Sequence, residues 1–333
     1  MAHFFFPPDG VFYKTNLHCH TTISDGTLTP VEVRDAYRAA GYAAVAFTDH
    51  EAFLPHTDLC TEDFIALHGF ETAVKEHPRA HTGAFQKVYH LNLLAKDQNN
   101  VTQPFIYPDN MTPGNCRKYL DCISYTEELV YEYSAEGVND LIRRARAAGF
   151  FCTLNHPAWS LLPSGKYLHL RGLHGVEVMN GSSFANGDCS GLPLGEFLRE
   201  GERVLPIGGD DNHNFPDEED SFLAFTMLCA REFSYAGLME AYEKGWLYAS
   251  TGPRIEEMQA DGDTLTVRMS PASRVVLLSE GRYTQTVRGD GMSVATLRLP
   301  WEKMGAYFRL EIADAAGGLA ITRGYFRDEW QEE

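Results

Sequence analysis

The residues of this chain whose types and spacing can do chemistry begin with His18-Cys19-His20, followed by Ser24-Asp25-Gly26. In an extended segment side chains two apart share a face, so the two imidazoles can grip one cation while Cys19 turns away. Asp25 lies past a polar Thr-Thr turn and can reach the same cleft. The arrangement repeats. Successive apolar runs end in His50, Glu71, His156, Asp211 and His213, and His90 sits inside a further run. Imidazole and carboxylate without thiolate suit zinc, manganese or iron rather than a structural cysteine site. His18, His20, Asp25, His50, Glu71, His90, His156, Asp211 and His213 together exceed what one ion uses. Two or three divalent transition metals bridged by a carboxylate are expected, with Glu71 the natural bridge. Adjacent ions lower the pKa of a shared water and clamp an oxyanion, which is hydrolytic chemistry.

These residues need a scaffold that gathers strand ends. Thr29-Pro30-Val31-Glu32 is a helix start, with Thr29 as N-cap, Pro30 in the first turn and Glu32 placed to close a capping box. Gly41 stops that helix. The apolar run 42–47 then reads as a parallel strand buried on both faces and ends in Thr48-Asp49-His50. Further strands are expected at 12–20, 63–69, 87–94, 150–154, 175–179, 203–209 and 222–228, with helices at 134–148 and 234–244. Residues 98–114 form a long polar loop near the cleft mouth. Strands alternating with helices argue for an α/β fold with a parallel sheet. A barrel is preferred, because the ligands come from many strands and must converge at their carboxyl ends.

After Thr251-Gly252-Pro253 the texture changes to short strands with Gly- and Asp-rich turns, among which Asp261-Gly262 and Asp290-Gly291 read as hairpin turns. Residues 253–333 contain no His and no Cys, so they read as a small all-β, sandwich-like domain, and the chemistry belongs to residues 1–252.

Composition narrows the partners. Of 333 residues 44% are apolar, enough for a sizeable core. The 28 basic against 46 acidic residues, a net charge of -18, argue against nucleic acid as the main partner. No apolar run reaches the roughly 18 residues of a membrane span. The first residues lack a basic signal-peptide n-region, and seven scattered cysteines without a CxxC pair do not form a disulfide framework. A reduced cytoplasmic protein acting on a small molecule is expected.

His18-x-His20, Ser24-Asp25-Gly26, Thr48-Asp49-His50, Gly69-Phe70-Glu71, Asn155-His156-Pro157 and Asp211-Asn212-His213 resemble, in order, the motifs of the PHP (polymerase and histidinol phosphatase) superfamily. The resemblance covers about residues 11–252. It implies a distorted (β/α)7 PHP-type barrel with a trinuclear site. Carried over by position, His18, His20, Glu71 and Asp211 would hold the first metal. Glu71, His90 and His156 would hold the second, and Asp25, His50 and His213 the third. The run 245–253 followed by a β domain is similar to the carbaryl-hydrolase-like branch. The family's last motif usually has a small residue where Asp210 stands, which leaves Asp210 and Asp211 as rival ligands; the Asp-x-His spacing favours Asp211.

The expected activity is a metal-dependent phosphoesterase, with a phosphate ester as substrate and the chemical step centred on Glu71, Asp211 and His213. Carbamate, amide or carboxyl-ester hydrolysis at the same metals is the second reading, and an inactive metal-binding regulatory module the third. Asp49 reads as a helix cap or as an acceptor behind its neighbour. His3, His56, His68, His77, His81, His169 and His174 read as surface or satisfied histidines, and Arg117 and Lys118 as solvated loop residues. Asn155 and Asn180 end strands beside the cleft.

Overall fold

The computed structural model describes residues 2–77, 85–111 and 116–330. In chain order the first half contains β1 (His3–Phe4), β2 (Val11–Asn16), α1 (Pro30–Ala39), β3 (Ala44–Phe47), β4 (Ile65–Lys75), β5 (Val88–Ala95), α2 (Ala135–Ala147) and β6 (Phe150–Leu154). There follow α3 (Ser164–Tyr167), β7 (Gly175–Asn180), α4 (Leu192–Arg199), β8 (Leu205–Gly209), β9 (Phe225–Ala230), α5 (Tyr235–Lys244) and β10 (Leu247–Ser250). The last part is β11 (Ile255–Asp261), β12 (Thr264–Ser279), β13 (Thr284–Arg298), α6 (Trp301–Met304), β14 (Tyr307–Ala313), β15 (Leu319–Thr322) and β16 (Tyr325–Phe326).

The molecule is mixed α/β, built on one large sheet. Strands β2, β3 and β4 are parallel neighbours, and so are β6, β7 and β8. Between them β5 runs antiparallel to both β4 and β6. An all-parallel sheet was the expectation. The connection from β4 to β5 is short, residues 76–87, close to the least a parallel crossover needs, and the chain returns antiparallel instead. This reversal carries His90, near the start of β5, to the end of the sheet where the parallel strands finish. Beyond the last strand residues, Asp211 N donates to His18 O at 2.9 Å and His20 N to Asn212 O at 3.1 Å. The continuations of β2 and β8 are thus tied to each other there. On the other side of β2, β9 pairs antiparallel, and β10 follows it.

Local signals account for the helices. Thr29 and Glu32 form the reciprocal capping box of α1, and Ser134 and Ser234 accept from backbone N–H groups at the starts of α2 and α5. Ser134→Ala removes the bond to Gly137 N and is expected to lower stability by about 1 kcal/mol, read from chemical denaturation. Helices α2 and α4 cover an aromatic core that includes Phe70, Phe105, Phe150 and Phe197. Helix α5 packs Leu238 and Tyr242 against Leu17, Leu67 and Ile207 at the end of the sheet away from the strand-end histidines.

Strands β11 to β16 pair antiparallel, and the β10–β15 ladder makes them continuous with the rest of the sheet. Strand β1 joins this part by pairing with β11. The hairpin loop between β11 and β12 is Gly262-Asp263, one residue on from the expected pair, with Asp261 still paired to Thr264 and Gly262 at φ 56°. Asp290-Gly291 is not a hairpin turn. It lies inside β13, where the register against β12 shifts around Ala272 and Met292, so the positive φ of Gly291 serves a bulge. The expected short strands are here longer: residues 264–279 form the single strand β12. No helix among the described residues is long and apolar enough to cross a membrane.

Candidate metal centre

Each of the nine candidate ligands sits at the same end of the sheet. His18 and His20 follow β2, His50 follows β3, and Glu71 lies within β4. His90 is in β5, His156 follows β6, and Asp211 and His213 follow β8. Asp25 is delivered by the tight turn after His20. A Cβ on Gly26 would lie 2.7 Å from the His20 carbonyl, so only glycine lets this turn fold back. Asp49 organises the same turn by accepting from the backbone N–H and hydroxyl of both Thr21 and Ser24.

Glu71 is the hub. Its Oε1 faces His18 Nε2 at 3.4 Å, His90 Nδ1 at 3.0 Å and His156 Nε2 at 3.4 Å. Its Oε2 faces His20 Nε2 at 3.5 Å and His50 Nδ1 at 2.9 Å. Asp211 Oδ1 lies 3.2 Å from His18 Nε2 and 3.0 Å from His20 Nε2. Asp25 stands 3.5 Å from His50 Nε2 and 3.6 Å from His213 Nε2. Four groups bring their ligand atoms within 4.8 Å of one another and could hold an ion: His20-Asp25-His50-His213, His18-His20-Asp211, Glu71-His90-His156 and His18-His156-Glu177.

The protons show that this arrangement fits cations. His18 Nδ1 lies 2.8 Å from Glu177 Oε1, an acceptor, so that nitrogen carries the hydrogen. Its Nε2 then presents a lone pair to Glu71, Asp211 and His20 Nε2, the last only 3.2 Å away. His213 Nδ1 donates to the Asp211 carbonyl, leaving its Nε2 lone pair toward Asp25. Glu71 Oε2 and His90 Nδ1 are buried and, although 2.9 Å from His50 Nδ1 and 3.0 Å from Glu71 Oε1, make no well-aligned hydrogen bond. Lone pairs converging on buried, poorly satisfied atoms are what a cation resolves.

The electrostatics carry the same signature. Burial raises the Glu71 carboxyl, but His90, His18, His50 and His156 outweigh it and hold the pKa well below the usual value. Asp211 is held low in the same way by His18, His20 and His156. Burial disfavours charge on His18, yet Asp211, Glu177 and Glu71 hold its pKa well above the ordinary value. Burial likewise works against His50 and His156, whose neighbouring carboxylates lift both to about 9. His20, buried with His213 and His50 beside it, falls to about 4. Without an ion the neighbouring carboxylates favour extra protons on His18, His50 and His156, and a bound metal would take their place.

Two backbone outliers place ligands. His156 has φ 23° and Asp211 φ 54°, a left-handed region that non-glycine residues enter at a cost. His156 also precedes Pro157, which restricts it further. Asp188 anchors the following loop by accepting from Ala158 N and Trp159 N. Asp210 points elsewhere: it accepts from Tyr37 OH and from Phe222, Leu223 and Ala224 N–H groups.

The residue absent from the sequence reading is Glu177. Its Oε1 fixes His18, and its Oε2 accepts from His156 N and Asn180 Nδ2. The signal was a single charge inside the apolar run 175–179. Asn155 and Asn180 are fully buried and hold carboxylates, donating to Glu71 Oε1 and Asp211 Oδ2. Arg117 and Lys118 are exposed and do not line the cleft. His68 is no surface residue; it is fully buried with its ring 5.3 Å from Tyr235, and His56 packs on Phe47. His174 packs on Phe151, whereas His3 is half-buried and His77 and His169 are exposed; His81 lies outside the described residues. The seven cysteines are free thiols, and Cys19 is buried away from the ligand groups.

No family model and no curated protein matches the chain. Among solved structures it is similar to a two-domain protein of Bacteroides vulgatus containing a predicted PHP-like metal-dependent phosphoesterase. That match has 16% identity and a TM-score of 0.43, over 97% of this chain and 98% of that one. It is also similar to a candidate metal-dependent phosphoesterase of Bifidobacterium adolescentis, at 17% identity and a TM-score of 0.38, over 62% of this chain and 90% of that one. A third is an amidohydrolase of Chromobacterium violaceum with bound sulfate and no metal, at 18% identity and a TM-score of 0.37, over 60% of this chain and 87% of that one. Chains described as PHP-like are thus among the structures this one resembles.

Proposed function

We propose that this chain is a metal-dependent hydrolase of PHP type, a phosphoesterase first. The observation that carries the reading is Glu71: a buried carboxylate with five imidazoles divided between its two oxygens. In this reading β2 to β8 form a distorted seven-stranded barrel, residues 1–252 carry the site, and residues 253–333 are a β domain packed against it.

Zinc, manganese or iron would be held by His18, His20, Glu71 and Asp211, by Glu71, His90 and His156, and by Asp25, His50 and His213. Bound divalent ions would supply Lewis acidity and a nucleophilic water at neutral pH. The chain does the positioning. Glu71 shares its two oxygens between neighbouring groups, and Asn155 Nδ2 fixes one of them at 2.7 Å. Ser182 Oγ and Asn180 Nδ2 hold Asp211 Oδ2 in place. His213, pinned through Nδ1, keeps Nε2 directed toward Asp25 at the cleft's edge.

Attack on a carbonyl stands as a second reading because of one feature: among the described residues the cleft lining contains no lysine or arginine to clamp a phosphate dianion. The test is turnover of p-nitrophenyl phosphate, bis(p-nitrophenyl) phosphate, an aryl ester and an aryl carbamate by metal-reconstituted protein. Phosphoester hydrolysis that disappears with EDTA and in His18→Ala and His213→Ala is the expected result. Turnover confined to the ester or carbamate would move the activity to the carbonyl class. Metal-loaded protein that hydrolyses none of the four would contradict the reading.

A further inference from the structure

The cleft over the candidate metal residues is a space of about 510 Å³ whose outer walls are aromatic and acidic. Trp159 stands 5.1 Å from the His156 ring and 5.6 Å from His90, and Phe215 stacks on His213 at 5.8 Å with an interplanar angle of 11°. Each covers the ligands from outside yet leaves much of itself to solvent, 47% for Trp159 and 41% for Phe215. Neither ring is loosely hung. Asp188 fixes the backbone of Trp159, and Asp220 closes the Phe215 segment by accepting from His213 N and Asn214 N.

Most carboxylates in this cleft have work to do. Asp25, Glu71 and Asp211 belong to the imidazole groups, and Asp220 is taken by backbone donors. Glu218 and Glu219 remain, lining the cleft with no ion-pair or hydrogen-bond partner for their side chains among the described residues. Among the described residues no lysine or arginine lies in the lining to offset them. Aromatic faces with uncompensated carboxylates attract an organic cation, for which tryptophan is the best ring. On the floor of the same space lie the buried Glu71 Oε2 and His90 Nδ1, which make no well-aligned hydrogen bond although 2.9 Å from His50 Nδ1 and 3.0 Å from Glu71 Oε1.

We propose that the cleft selects a substrate bearing an ammonium group on an apolar body. That group rests against Trp159 and Phe215 with Glu218 and Glu219 as its counter-charge, while the bond to be cleaved lies over the metal residues. Only the position of the scissile bond rests on the hydrolase reading; recognition of the cation does not. The net charge of -18 adds a long-range attraction for such a ligand.

The test uses metal-loaded protein and a matched pair, choline and its uncharged isostere 3,3-dimethylbutan-1-ol, with affinities from calorimetric titration. Choline is expected to bind about tenfold tighter or more. That advantage is expected to fall to about twofold or less in Glu218→Gln/Glu219→Gln, and Trp159→Leu should weaken both ligands. Equal affinities in the unmodified protein, or an advantage that survives the double substitution, would overturn the proposal. The unmodified pair decides the matter even where a variant folds poorly. Turnover of p-nitrophenyl phosphorylcholine separates the two inferences. Choline selectivity with no hydrolysis keeps the cation site and counts against the phosphoesterase reading, whereas hydrolysis without selectivity does the reverse.

Discussion

Glu71→Gln is expected to lower kcat/KM by about three orders of magnitude and to reduce the metal bound per chain. The amide keeps the shape and the bond from Asn155 but removes the negative charge facing His18, His20, His50, His90 and His156. Losing a charge aimed at the reacting atoms in a buried site costs about 10²- to 10³-fold by itself, and the lost affinity for ions adds to it. Steady-state kinetics at saturating metal, with elemental analysis of the same sample, checks this. Near-normal activity in Glu71→Gln would remove the shared carboxylate from the account.

Glu177→Gln is expected to weaken metal binding or activity by about 10- to 100-fold, the usual cost of removing a carboxylate behind a ligating histidine. Glu177 touches no reacting group; it is a positioning residue that fixes the His18 ring and the backbone of His156. The diagnostic is rescue. Raising free zinc or manganese in the assay should restore much of the Glu177→Gln activity, whereas a merely structural lesion would not respond to metal. Competition against a chelator gives the affinity directly.

Much of the site was legible because ligands at the ends of apolar runs must emerge at the end of the sheet. His18, His20, His50, His156 and His213 needed only strand alternation and turn signals to be placed together. Glu71 was harder, since β4 runs on to Lys75 and the ligand lies inside it. Glu177 was overlooked because attention to strand ends passes over a charge in mid-strand, although a lone carboxylate in a fully buried strand always demands a partner. The Asp-x-His spacing favoured Asp211 over Asp210, but the positive φ at Asp211 is something no composition rule supplies. The direction of β5 is not written in its own residues. Apolar pattern alone does not distinguish parallel from antiparallel neighbours when both faces are buried. In the C-terminal part Asp290-Gly291 has the chemistry of a turn, and it serves a bulge because β12 and β13 continue past it.

The most direct measurement is the metal content per chain of protein produced and purified in metal-replete conditions, by elemental analysis, alongside His18→Ala and His213→Ala. About two to three transition-metal ions per chain, with fewer in each variant, is the predicted result. One ion or none in the unmodified protein would contradict the multinuclear centre and leave the converging histidines to another purpose.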